Sequence, residues 1–184
     1  HGFFGGRIKF RKVNQLPARR LFGNGDAKRK FYILRRVRRN FQPDGQIVKI
    51  TKSGATTLSS TPIANLINAS ISSDGLKILA VFGEKASPQA SIFDVASKTW
   101  QPLSAGFESG SWSPSGQKLV YFEEKPGKSS LITFDLGNPK AKPQEVLKIQ
   151  AYDLEPRWTA PEEILLAEKS SSLYPGSLWR FDLA

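Results

Sequence analysis

Short apolar runs alternate with polar turns along most of this chain. The clearest example begins at residues 113–116, Ser-Pro-Ser-Gly, where proline and glycine supply the backbone conformations of a tight turn. The apolar run 119–122 follows at once, and the run 131–136 follows after a polar break. Both runs are rich in aromatic and β-branched residues, which favour strands. The pattern predicts two neighbouring β-strands.

The same arrangement recurs on both sides of this stretch. A Ser-Ser-Asp-Gly turn at 72–75 precedes the apolar run 78–82, and the run 164–167 follows Pro161. Each copy ends in a Phe-Asp pair, and the pairs lie about 41 and about 47 residues apart, a propeller-blade spacing: Phe93-Asp94, Phe134-Asp135 and Phe181-Asp182. Helix signals are nearly absent, because Pro and Gly interrupt the candidates. The chain is therefore predicted to be all-β, with a repeated unit of four short antiparallel strands.

The repeat divides the chain into four segments. Residues 61–104 and 105–147 are each predicted to form one unit, and residues 148–184 a partial one. The inner strands are nearly continuous in apolar character, which indicates sheets that are covered on both faces. Residues 1–60 are predicted to be a degenerate unit preceded by the last strand of an earlier one. The alternative is a basic arm outside the fold.

Positive charge is concentrated in the first segment. The chain of 184 residues has a formal net charge of +11, and 15 of its 27 Lys and Arg residues lie before residue 53, against two aspartates. Residues 7–11 alternate cations with apolar side chains, which predicts a half-buried strand. Residues 31–34 and 46–51 are predicted as further strands. Residues 35–39 and the Pro-Asp-Gly sequence at 43–45 are expected to connect them as a loop.

Four arginines in this connection form the candidate site for an anionic surface: Arg35, Arg36, Arg38 and Arg39. Because they follow an apolar strand and precede a turn, we expect an exposed cationic rim at a strand end, where cations stay solvated. Such a rim could attract an anionic membrane leaflet or a protein partner. Nucleic acid is not the expected partner, because no nucleic-acid-binding motif accompanies the arginines. The alternative is that they only keep the protein soluble.

The repeated motifs point to a known family. The Ser-x-Asp-Gly or Ser-Pro-Ser-Gly turn, the Leu-Val-Tyr-Phe strand and the Phe-Asp-Leu strand resemble the β-propeller repeat of the translocation protein TolB and its relatives. The repeat is also similar, more distantly, to WD-type repeats. The likeness covers residues 61–184 well and 31–60 weakly, and it departs at 159–162, where Thr-Ala-Pro-Glu replaces the turn. It implies blades of four antiparallel strands, and about four units are expected to form an incomplete arc of a larger propeller.

Two functions suit such a fold, because propellers host binding proteins and enzymes alike. The first is a non-catalytic scaffold that binds a protein or envelope partner; the TolB resemblance implies a bacterial, extracytoplasmic protein. The second is the substrate-gating or ligand-binding propeller of a larger hydrolase, similar to prolyl-oligopeptidase-like enzymes. We expect the first, with no enzymatic activity and no evident small-molecule substrate. The chain, which begins at His1, is expected to be part of a longer protein.

Catalytic chemistry has few candidate residues. The chain has no Cys and its single His is His1, so a Cys nucleophile or a Ser-His triad cannot be built within it. Residues 106–110 resemble a nucleophile elbow, but the Ser stands one place late. Adjacent glutamates at 123–124 and 162–163 point to opposite strand faces and are expected to be solvated strand ends. No catalytic, cofactor or metal site is predicted.

The repeated aspartates and two tryptophans are expected to support the fold. The aspartates Asp94, Asp135 and Asp182 recur at one position and should accept hydrogen bonds from turn N–H groups. Trp112 and Trp158 occupy equivalent positions and are predicted to lie in the core between units. Ser111, next to Trp112 on the opposite strand face, is expected to tolerate replacement by Ala.

Overall fold

The computed structural model describes residues 30–37, 43–51, 54–149, 154–168 and 176–183. Within these ranges the chain forms fourteen β-strands and no helix, as the pattern of short apolar runs predicted. No helix that could span a membrane is therefore found in the part of the chain described. The strands are β1 Lys30–Val37, β2 Pro43–Thr51, β3 Gly54–Thr57, β4 Leu66–Ile71, β5 Lys77–Glu84, β6 Ser87–Asp94, β7 Thr99–Pro102, β8 Phe107–Trp112, β9 Lys118–Lys125, β10 Lys128–Asp135, β11 Gln144–Ile149, β12 Leu154–Ala160, β13 Glu163–Glu168 and β14 Leu178–Asp182.

The strands form four antiparallel sheets, in each of which neighbours in sequence are neighbours in space. The first sheet contains β1–β3, the second β4–β7, the third β8–β11 and the fourth β12–β14. The second and third sheets have the four strands predicted for one repeat. Four small meandering sheets in succession are the arrangement of propeller blades. The all-β propeller prediction is confirmed.

The first sheet belongs to a compact unit that ends at Leu66. Strand β1 places Arg35 opposite Gly45 and Arg36 opposite Asp44. The two arginines therefore lie within a strand rather than in a loop after it, and β2 begins at Pro43 rather than after a turn, so both predictions were wrong. Gly45 belongs to a strand because it pairs on both sides. It lies opposite Arg35 of β1, and on its other side it exchanges backbone hydrogen bonds with Ile63 at 2.7 and 2.6 Å.

Two predicted features of the basic segment lie outside the described residues. These are Arg38 and Arg39 of the candidate rim and the alternating strand at residues 7–11. Among the described residues of this first unit, the buried apolar side chains include Ile47 and Val48 of β2. Ile47 is fully buried, and its N–H donates to the buried hydroxyl of Ser59 at 3.0 Å.

The second unit begins at Ile67, and in it the third sheet is covered on both faces. Alternate residues of β9 face opposite ways. Leu119 and Tyr121 pack in one cluster with apolar side chains of the second sheet, while Val120 and Phe122 pack in another with those of the fourth. All four are at most 3% exposed. This double burial explains why the β9 sequence is apolar without alternation.

The two tryptophans lie where the repeat predicted. Trp112 is 8% exposed and belongs to the cluster between the second and third sheets. Its indole Nε1–H donates to Ser70 Oγ at 3.1 Å. Trp158 is 7% exposed and belongs to the cluster between the third and fourth sheets. Their placement in the core between neighbouring sheets is confirmed.

The aspartates at the ends of the third strands mostly hold turns. Asp94 Oδ1 accepts hydrogen bonds from the N–H groups of Ala96 and Ser97 at 2.9 and 2.8 Å, and Asp135 Oδ1 accepts one from Gly137 at 3.0 Å. The turn role is confirmed for these two. Asp182 differs, since its described contact is an ion pair with the side chain of Arg180 at 3.3 Å.

Candidate functional site

Two serines on β8 join the third sheet to the fourth. Ser109 Oγ donates to the carbonyl oxygen of Leu154 at 2.6 Å, and Ser111 Oγ accepts from the backbone N–H of Trp158 at 3.1 Å. Ser109 is the serine of the elbow-like sequence. It lies within a strand, and its hydroxyl proton is engaged in this contact between sheets. The expectation that Ser111 would be a neutral position did not include this contact between its hydroxyl and the buried Trp158 segment.

Replacing Ser111 by Ala should therefore destabilise the protein measurably. The substitution leaves the N–H of Trp158 without its acceptor at a mostly buried position, which costs about 1–3 kcal/mol. Chemical denaturation should show a lower midpoint for Ser111→Ala than for Ser177→Ala, which alters an exposed serine of the same unit. Equal midpoints would show that the hydroxyl contributes nothing to the contact between the sheets.

A polar cluster continues the apolar face of the third sheet towards the β9–β10 hairpin. The hydroxyl oxygen of Tyr121 lies 3.5 Å from that of Ser104, and burial raises the pKa of this tyrosine. Glu123 is only 7% exposed and forms an ion pair with Lys125 at 2.8 Å. Burial raises the pKa of Glu123, but the contacts with Lys125 and Ser104 outweigh it and hold the pKa below its ordinary value. The prediction of a solvated strand end was wrong for Glu123, whereas Glu124 is exposed as expected.

A second carboxylate lies on the outer strand of the same sheet. Glu145 accepts a hydrogen bond from Ser130 Oγ at 2.8 Å and pairs with Lys128 at 2.9 Å and Lys148 at 3.4 Å. The contacts with Lys128 and Ser130 lower the pKa of Glu145 to about 2. A general acid at neutral pH needs a raised carboxyl pKa. Both Glu123 and Glu145 have the opposite shift, so they stabilise the sheet as charges and are poorly suited to donate a proton.

The Glu145 contacts predict a loss of stability in acid. Because the folded-state pKa of about 2 lies below the ordinary value of 4.5, the carboxylate stabilises the fold above pH 4.5, and this contribution is lost as the pH falls towards 2. Denaturation midpoints measured across this window should therefore fall less steeply for Glu145→Gln than for the native chain. Glu124→Gln, which removes an exposed carboxylate of the same sheet, is the matched control. An unchanged slope in Glu145→Gln would contradict the assignment.

The remaining acidic residues are not brought together. The described ranges contain no group of three or more His, Cys, Asp or Glu side chains arranged to hold a metal ion. Burial raises the pKa of Asp94, but hydrogen bonds from Ser97 and Ala96 and the charge of Lys77 outweigh it, so the pKa is lowered. The Ser109–Leu154 contact and the Glu145 cluster were both missed from the sequence, since each joins residues on different strands.

Comparison with solved structures identifies the fold. TolB from Acinetobacter baumannii matches with a TM-score of 0.54 and 18% identity, over 76% of this chain and 35% of that one. The β-propeller domain of the Trilobed protease from Pyrococcus furiosus matches with a TM-score of 0.58 and 16% identity, over 83% of this chain and 50% of that one. An acylaminoacyl peptidase from Pyrococcus horikoshii matches with a TM-score of 0.54 and 12% identity, over 83% and 29% of the two chains.

These matches establish a TolB-like propeller fold, as the sequence motifs predicted. This chain covers between 29% and 50% of the length of the propeller proteins described above. No protein-family model matches the sequence, and no curated protein matches it significantly. The similar folds belong both to TolB and to peptidases, so the fold alone does not assign an activity.

Proposed function

We propose that this chain is a non-catalytic β-propeller scaffold that binds a protein partner, at an extracytoplasmic location. One observation carries the proposal: among the described residues, the candidate catalytic serines and glutamates are already engaged in contacts that stabilise the fold. Ser109 and Ser111 bond to the fourth sheet, and Glu123 and Glu145 are neutralised by lysines. The TolB-like fold supports the extracytoplasmic location.

The alternative is a propeller that serves a hydrolase, and the likeness to the propeller domain of the Trilobed protease favours it. Antibodies raised against residues 67–184 would distinguish the two in an extract of the native cells. The scaffold predicts that the recognised polypeptide does not react with a fluorophosphonate, which labels active serine hydrolases. Labelling of that polypeptide would establish the hydrolase.

The partner itself can be sought with the purified chain. The immobilised chain, cross-linked in a native envelope extract, should retain a stoichiometric protein partner. A column carrying Trp112→Ala, in which we expect the sheets to separate, is the control and should not retain this stoichiometric partner. Failure to recover a partner with the full-length native protein would count against the scaffold role.

The arginine block should make attraction to anionic lipid depend on salt. Vesicles with anionic lipid should sediment the chain at low ionic strength and less at physiological ionic strength, where the Debye length is about 8 Å. Replacing Arg35, Arg36, Arg38 and Arg39 by Gln should abolish this sedimentation. Neutral vesicles and duplex DNA are tested in parallel to show whether binding requires anionic lipid. If the native chain sediments with no vesicles even at low salt, the block serves solubility alone.

A further inference from the structure

The connection between β10 and β11 is twice as long as its counterpart in the second sheet. It comprises eight residues, 136–143, whereas the β6–β7 connection comprises four, 95–98. Both begin directly after an aspartate that accepts a turn N–H, Asp135 and Asp94. Antiparallel strands need only two to five residues to reverse direction, so the extra length is not required by the sheet. Long ordered loops on a rigid scaffold are common positions for binding residues.

Hydrogen bonds within this loop and to the β8–β9 turn support its backbone. Leu136 N–H donates to Gln117 O at 2.8 Å, and Ala141 N–H donates to Asn138 O at 3.0 Å. Asn138 Oδ1 accepts from Lys140 N–H at 3.0 Å, which leaves the amide NH2 group of Asn138 for a ligand. Pro139 and Pro143 further restrict the backbone. The loop backbone therefore needs little further ordering when a ligand binds.

The loop and the ends of three strands line an open pocket of about 460 Å³. Its cations are Lys118 at the start of β9 and Lys140 and Lys142 on the loop, all exposed. None of the three lysines forms an ion pair with a carboxylate of the described residues, in contrast to Lys125, Lys128 and Lys148 on the same sheet. The neutral polar lining comes from the side chains Thr133, Asn138 and Gln144.

One carboxylate, Asp135, also lines the pocket, but its Oδ1 atom is directed to the loop backbone by the bond from Gly137 N–H. The pocket therefore combines three unpaired ammonium groups, one partly engaged carboxylate and several neutral donors. Its volume lies in the range of small-molecule sites. Oxyanions suit such a lining, because charge-assisted hydrogen bonds from ammonium groups are stronger than neutral ones.

We propose that this pocket binds a small oxyanion carrying at least two negative charges, either a phosphate or a polycarboxylate. The site is built from residues other than the arginine block and does not depend on the scaffold role. Lys140 and Lys142 supply the main charge from the loop, and Lys118 supplies it from the sheet. Thr133, Asn138 and Gln144 orient the anion through hydrogen bonds.

Titration of the isotope-labelled chain with inorganic phosphate and, separately, with citrate would test this proposal by NMR. Saturable amide shifts should be confined to residues 117–119 and 133–144, and the tighter ligand of the two identifies phosphate or carboxylate chemistry. The double variant Lys140→Gln/Lys142→Gln should lose about tenfold or more in affinity, because two charge-assisted hydrogen bonds are removed. The matched control Lys85→Gln/Lys98→Gln removes the same charge from exposed positions of the second sheet and should bind as the native chain does.

Three outcomes would overturn the proposal. The first is the absence of saturable shifts with both anions. The second is the same shifts with sodium chloride at equal ionic strength, which would reflect screening alone. The third is equal affinity in the two double variants. Binding with loss only in the Lys140→Gln/Lys142→Gln protein would establish the site whether or not a protein partner is found for the scaffold.

Discussion

Replacement of Trp112 by Ala is expected to unfold the second unit or leave it prone to aggregation. Trp112 is 8% exposed and fills the core between the second and third sheets. Truncation of a buried large aromatic residue costs about 3–5 kcal/mol, against a total stability of about 5–15 kcal/mol for a typical domain. Loss of the indole contact with Ser70 adds to this cost. Chemical denaturation followed by circular dichroism would measure the change.

Two further variants make the Trp112 test specific. Trp179→Ala removes an indole that is 40% exposed on β14 and should shift the denaturation midpoint much less. Trp112→Phe keeps an aromatic ring but loses the Nε1–H donor, so its denaturation midpoint should lie between those of the native chain and Trp112→Ala. Equal midpoints for Trp112→Ala and Trp179→Ala would show that Trp112 does not hold the two sheets together.

Replacement of Gly116 by Ala is expected to have the next largest effect. Gly116 lies in the turn between β8 and β9 with φ of +79°, and a Cβ atom there would lie 2.6 Å from the backbone N of Asp74. Asp74 belongs to the equivalent turn of the second sheet, so the substitution would push two neighbouring turns apart. The left-handed conformation costs Ala about 1–2 kcal/mol, and overpacking adds about 1–3 kcal/mol.

Gly127 provides a matched control for this substitution. Its φ of +73° is nearly the same, but nothing lies within 4 Å of a Cβ added there. Gly127→Ala should therefore show the conformational cost alone, and the difference between the two variants measures the contact between the turns. If both substitutions lowered the free energy of unfolding equally, this would contradict the inference that the two turns lie in close contact.

The strand pattern and the core between the sheets could be predicted because they depend on local sequence. The apolar run of β9, the turn before it and the repeated Phe-Asp pair all lie within a few residues of one another. The equivalent positions of Trp112 and Trp158 then followed from the repeat. A strand is commonly apolar on both faces when other parts of the protein pack against both faces of its sheet.

The features that the sequence did not reveal depend on residues far apart in the chain. Arg35 and Arg36 extend β1 because Gly45 pairs with both β1 and Ile63, which no local signal indicates. Glu123 is buried because Lys125 and Ser104 compensate its charge. The length of the β10–β11 loop, compared with the β6–β7 turn, was the available signal for the lysine pocket. The extra length of this loop can be recognised only when the sequences of the second and third sheets are aligned.

The third sheet is enclosed between two others, like a propeller blade. Hydrogen–deuterium exchange of the native chain is the most direct test of this arrangement. Strand β9 has a bonded neighbour on each side and a covered face in each direction. Peptides covering Lys118–Lys125 should therefore exchange more slowly than those covering β14, whose Leu178 and Trp179 are exposed. Exchange of β9 as fast as that of β14 would contradict the stacked sheets and the scaffold built on them.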